Sequence, residues 1–72
     1  MEEKKLLIDC HYTIDNTLEM KVYTKVNGKQ ELIIERVFDR GEFNYRNKLF
    51  AFCDVLKAHF DGYEVLINDW YD

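Results

Sequence analysis

The sequence contains no proline and no serine, and only three glycines and two cysteines in 72 residues. Each scarcity excludes something. Without serine there is no nucleophile elbow and no serine triad, and three isolated glycines make no glycine-rich loop to cradle a phosphate. Two cysteines, Cys10 and Cys53, are too few for the disulfide framework of a small secreted domain. With no proline, no low-complexity stretch and no internal repeat, nothing marks a linker, and residues 1–72 read as a single compact domain. No apolar run approaches the ~18 residues of a membrane span. The opening Met1-Glu2-Glu3-Lys4-Lys5 is followed by too short an apolar segment for a secretory leader. These absences predict a cytoplasmic protein with no membrane partner.

What is present is a chain that should fold. It is 47% hydrophobic, 15% aromatic and 33% charged, too apolar and too mixed in charge for a disordered acidic tail. A domain of this size buries only about 60% of its unfolded surface, which leaves little room for both a core and a deep substrate pocket. That argues against a self-contained enzyme.

The hydrophobic pattern begins with period two. Leu6, Ile8, Cys10, Tyr12 and Ile14 share one parity, and Asp9, His11, Thr13 and Asp15 the other, with Leu7 out of place. Leu18, Met20, Val22 and Val26 then alternate with Glu19, Lys21, Tyr23 and Lys25. A two-residue loop at Asp15-Asn16 would set apolar against polar parity, so an odd loop is required. Either Ile14 pairs with Leu18, or Asn16 takes a left-handed bulge position; Cys10 then lies near Val22 or Met20.

Asn27-Gly28 marks a second hairpin. A two-residue turn would face Ile33 and Val37 inward together with Glu31 and Glu35. A three-residue loop with Gly28 in the left-handed position turns Leu32, Ile34 and Phe38 inward instead, and is preferred because it leaves both carboxylates in water. Arg36 then falls on the inner parity and must reach the sheet end or a carboxylate. That conflict makes an irregular strand the expectation.

After Gly41 the period becomes helical. Tyr45, Leu49, Phe52, Cys53, Leu56 and Phe60 form one face and Arg46, Lys48, Asp54, Lys57 and Asp61 the other, which predicts a helix over 45–61 with Asn44 as N-cap and Gly62 as C′ glycine. Tyr63 to Asn68 follows as a fourth strand, apolar on both parities at Val65-Leu66-Ile67 and so expected to be buried on two sides. The fold class is α+β, with order β-β-β-α-β and one helix on one face of a four-stranded, mostly antiparallel sheet. A right-handed crossover would lay the last strand parallel to the first, in the order 4-1-2-3.

Candidate chemistry is sparse. Cys10 and His11 are neighbours in a strand and point to opposite faces, while Cys53 and His59 lie about 240° apart around a helix, so neither pair shares a metal ion. Both cysteines fall on core faces, which favours buried thiols over nucleophiles. His11 reads as a surface strand residue, and His59 as a partner for the last carbonyls of the helix. Acidic pairs such as Asp69 and Asp72, or Glu31 and Glu35, have no cleft implied around them. The reading is a non-enzyme with no catalytic residue, no cofactor and no metal.

Charge placement says more. Residues 1–57 hold ten acidic and ten basic residues and sum to zero, so the net charge of −4 comes entirely from Asp61, Glu64, Asp69 and Asp72. These acids alternate with Tyr63, Trp70 and Tyr71, a composition suited to a protein interface. The seven residues are the candidate partner-binding surface, and the partner would carry a basic surface. On the face opposite the helix, Leu7, Tyr23, Ile33 and Val37 are candidate contacts for self-association into a homodimer. Lys21, Lys25, Lys29 and Tyr23 make only a modest basic stripe in a chain of pI near 5.1, which argues against direct nucleic-acid binding.

In size, acidity and lack of motifs the chain resembles, as a class, small phage-encoded inhibitors of host nucleic-acid enzymes, anti-CRISPR proteins among them. That likeness implies a non-enzymatic protein-binding module, inhibitory and mimicking nucleic acid through its acidic and aromatic surface. The alternative is a self-associating structural or accessory subunit that uses the outer sheet face.

Overall fold

The computed structural model describes residues 3–72; Met1 and Glu2, the start of the segment read above for a leader, lie outside the described residues. Three strands, β1 (Lys4–Tyr12), β2 (Thr17–Val26) and β3 (Lys29–Asp39), are followed by helix α1 (Tyr45–His59) and strand β4 (Glu64–Tyr71). The sheet order is β3-β2-β1-β4, which from the β4 edge reads 4-1-2-3. β1 and β2, and β2 and β3, pair antiparallel, and β4 lies parallel to β1 as the crossover predicts.

The first hairpin takes the second of the two readings. Cys10 faces Met20 and Tyr12 faces Leu18, with Asn16 at φ 62° inside the three-residue loop. Thr13 and Thr17 close that loop through their hydroxyls at 2.7 Å. Ile14 therefore leaves the inner parity it was expected to share and stands 83% exposed in the turn.

The second hairpin differs from both readings. Val26 faces Lys29 across a two-residue turn in which Asn27 and Gly28 both have positive φ, 51° and 84°. This turn twists with the strands, and asparagine and glycine tolerate it. The parity conflict is instead resolved further along: Tyr23 faces Leu32 but Val22 faces Ile34, so Ile33 is an extra residue in a β-bulge. The bulge turns Ile34 and Phe38 toward the helix and leaves Glu31 and Glu35 exposed. Leu32, expected inward, instead stands opposite the outward Tyr23. Arg36 keeps the inner parity opposite Met20 but reaches no carboxylate; its guanidinium lies 5.6 Å from the Phe52 ring centroid and donates to the Glu35 carbonyl.

α1 ends at His59, two residues before the expected end. Asn44 precedes it without a side-chain cap bond, and Phe60 N–H closes the last turn on the Leu56 carbonyl. Gly62, expected as the C′ glycine, instead lies one residue beyond C′ at φ 89°, because Phe60 is the C-cap, in the turn where Tyr63 N–H reaches the Phe60 carbonyl. β4 is an edge strand, not one buried on both faces: Leu66 is 41% and Ile67 56% exposed.

The core sits between the helix and one face of the two central strands. Leu6, Ile8 and Cys10 of β1, Leu18, Met20 and Val22 of β2, and Leu56 of α1 are its buried residues, with no buried polar side chain among the described residues. Ile34, Phe38, Leu49, Phe52, Cys53 and Val65 pack around them. The molecule measures 43 × 24 × 15 Å, so its thinnest dimension accommodates one sheet and one helix. Among the described residues no element covers the other face of the sheet.

Truncating Leu6 or Leu18 to alanine is expected to lower unfolding free energy by about 2–5 kcal/mol in a urea melt, and Gly28→Ala by about 1 kcal/mol. Ile14→Ala is expected to change it by less than about 0.5 kcal/mol; an equal loss there would contradict this core.

Candidate interaction surface

Alternation along the strands decides what the uncovered face carries. Lys5, Leu7, Asp9 and His11 of β1 point outward, as do Glu19, Lys21, Tyr23 and Lys25 of β2 and Glu64, Leu66, Asn68 and Trp70 of β4, because these residues are paired across the sheet. In its middle is a depression of about 340 Å³ lined by Leu7, Tyr23 and Leu66 with Asp9, Gln30 and Asn68.

One end of this face is organised around His11. Its ring lies parallel to Trp70, with centroids 3.7 Å apart and planes 2° apart. Nδ1 is 3.0 Å from Glu19 Oε1 and Nε2 is 2.6 Å from Asp72 Oδ1. With carboxylates at both nitrogens, the imidazole donates twice only when doubly protonated. The Asp72 hydrogen bond is the main cause of a His11 pKa above 6.5; burial opposes it and Glu19 reinforces it. The Asp72 carboxyl lies below its usual 3.8 through the His11 bond and the Ile14 N–H. Asp9 fixes the far side of Trp70, since one of its oxygens accepts from Trp70 Nε1 and Asn68 Nδ2, each at 3.0 Å. Asp9 and His11 thus hold a tryptophan that remains 42% exposed, with Glu19 and Asp72 on the two nitrogens of the imidazole.

The seven acidic and aromatic residues of the sequence reading do not form one surface. Trp70 and Asp72 meet in the His11 corner. Asp69 and Tyr71 share the inner parity with Cys10 and Tyr12, and Tyr71 stacks on Tyr12 at 4.7 Å. Asp61, Tyr63 and Glu64 lie at the opposite end of β4, roughly 26 Å from Asp72 by strand rise. There Tyr63 packs edge-on against Phe60 and under Lys4. Of the proposed self-association residues, Leu7 and Tyr23 line the central depression, Val37 stands exposed opposite Glu19, and Ile33 occupies the bulge.

The sequence reading missed Asp9, Glu19 and Asn68 and took His11 for an ordinary surface residue. Pairing Cys10 with Met20 puts His11 directly opposite Glu19, so that part follows once the hairpin register is chosen. Nothing in the sequence indicates how β4 slides along β1.

The remaining candidates stay apart. Burial, with Asp69 adding, pushes the Cys10 thiol up to about 12, and burial also raises Cys53, so both are protonated at neutral pH. His59 is exposed and edge-on to Phe60. Among the described residues no three side chains are grouped to hold a metal, and no helix is long and apolar enough to cross a membrane. No protein-family model, curated protein or solved structure matches the chain.

The corner makes stability depend on pH from both sides. His11 titrates above 6.5 in the fold, so its contribution is complete below that pH and is lost as pH rises through the raised value. Asp72 contributes above 3.8 and its share is lost as pH falls through the lowered value. Urea midpoints should therefore decline above pH 6.5, and His11→Gln should flatten that decline. An unchanged slope in the variant would remove His11 from the account.

Proposed function

We propose that the chain is a non-enzymatic protein-binding module that docks through its uncovered sheet face, with the Trp70 corner as anchor. The observation that carries this reading is the corner itself: an exposed indole held by Asp9 and His11, with Glu19 and Asp72 bonded to the imidazole, on a face that no element among the described residues covers. Aromatic anchors held rigid before contact lose little side-chain entropy on binding. A surplus of carboxylates around such an anchor favours a partner with a basic groove and speeds its encounter. The partner class that fits is a nucleic-acid-handling protein, and occupation of its groove would inhibit it as a nucleic-acid mimic does. This is the activity that likeness to the phage-encoded inhibitors, anti-CRISPR proteins included, implies.

One observation favours self-association as the second reading. The outer face is polar along the strands, with Lys5 and Lys25 directly paired at one end and Glu19 and Asp72 at the other. A twofold axis across the strands would set the basic end of one copy over the acidic end of another, with Leu7, Tyr23 and Leu66 near the axis. Tyr23→Lys would then lower the sedimentation mass.

The inhibitor reading is tested by capture of a host protein on the immobilised chain, followed by competition with that protein's own nucleic acid. Glu19→Lys with Asp72→Lys is expected to weaken capture at least tenfold and more so at low salt, while Asp61→Lys with Glu64→Lys leaves it nearly unchanged. Capture indifferent to the corner variant, or a captured protein whose nucleic acid does not compete, would defeat the reading.

A further inference from the structure

On the helix side of the sheet, at the same end as Trp70, a second cleft of about 300 Å³ opens between the first turns of α1 and the paired ends of β1 and β4. Its charged lining is Arg40 and Arg46, and its walls include Tyr12, Tyr45 and Tyr71, with Leu49 and Phe50 completing it. Two of the three arginines of an acidic chain therefore converge here. Among the described residues neither is ion-paired with a carboxylate. Of the nearby acids, Glu42 holds Lys48 and Asp39 accepts the Gly41 N–H, while Asp69 faces the same side of the sheet beside Tyr12 without pairing with either arginine.

The guanidiniums are placed by aromatic rings. Arg40 lies 5.2 Å from the Tyr12 ring centroid, and its Nε is buried with no hydrogen-bond partner. Arg46 Nε donates to the Tyr45 hydroxyl at 3.4 Å. That bond, with Arg40 acting the same way, draws the Tyr45 phenol below its usual value, whereas burial and then Asp69 raise that of Tyr12. The cleft thus holds two uncompensated cations, phenol hydroxyls able to donate, and the flat stacked pair of Tyr12 and Tyr71.

A carboxylate ligand would neutralise one of these cations and leave the other, whereas a dianionic phosphate monoester matches both, each guanidinium offering a planar fork of N–H donors. The tyrosine rings favour a ligand with a ring attached, and the volume is at the small end of ligand sites. We propose that this cleft binds the phosphate of a small aromatic phosphomonoester. The site lies on the face opposite the docking surface, so this inference and the proposed function stand or fall separately.

The test is a titration of the whole chain, followed by backbone amide shifts at neutral pH and low salt, with phenyl phosphate, inorganic phosphate and benzoate as probes. Phenyl phosphate is expected to move the Tyr45, Arg46 and Leu49 amides saturably and to bind at least tenfold more tightly than either other probe. Arg46→Gln, an exposed change that leaves the core alone, should weaken it tenfold or more. Asp69→Asn should tighten it, and Arg36→Gln, outside the cleft, should not alter it. The Glu19→Lys, Asp72→Lys variant should still bind. No saturable shift with phenyl phosphate, or a shift that survives in Arg46→Gln, would overturn the site; equal binding of inorganic and phenyl phosphate would overturn the ring's part in it.

Discussion

The structure depends on burial from one side. Six side chains of β1 and β2, alternating with outward polar neighbours, pack with Leu56 of α1 into the only fully buried layer among the described residues. A domain this small cannot bury two such layers, because its surface is large for its volume. The remaining features are arranged around that layer. β3 and β4 are edges pinned to a central pair, the helix is a lid for the inner face, and the outer face carries little of the folding energy.

This division frees the outer face for other work and also gives it local order. Trp70 lies on an edge strand, yet hydrogen bonding by Asp9 and stacking on His11 fix its position. The same contacts tie β4 to β1 and, through Asp72, to the turn between β1 and β2. Fixing Trp70, the proposed contact residue, and holding the edge strand are thus one set of interactions. The inner-face cleft has a comparable origin, where the loop after β3 brings Arg40 back to β1 because its N–H bonds the Asn16 carbonyl.

Much of the fold was legible because the period of the apolar residues is a local property. The strand and helix assignments, the order 4-1-2-3 and the parallel β4 follow from alternation, helical spacing and crossover rules. What was not legible depends on contacts distant in sequence. A bulge at Ile33 and a shorter turn give the same inward set of Ile34 and Phe38 as the longer loop, so patterning alone could not separate them. The apolar run Val65-Leu66-Ile67 read as doubly buried, but nothing in it records that the described residues supply a single helix for the two faces. The acids of the last fifteen residues were visible as a composition, but the parity of β4 sends Asp69 and Asp72 to opposite faces, which the count of charges does not contain. His11 was misjudged because its partners, Glu19 of β2, Trp70 of β4 and Asp72 just beyond β4, come from separate parts of the chain.

The central claim is that outward apolar residues contribute little to folding and remain available for contact. It is tested most directly by urea unfolding of the triple variant Leu32→Thr, Val37→Thr, Leu66→Thr, which removes apolar outer-face surface while placing a β-branched residue at each strand position. The account predicts a stability within about 1.5 kcal/mol of the parent, the sum of three surface changes. A loss in the range of about 2–5 kcal/mol that follows truncation of a core leucine would contradict it, and would mean that the outer face is part of what folds the chain.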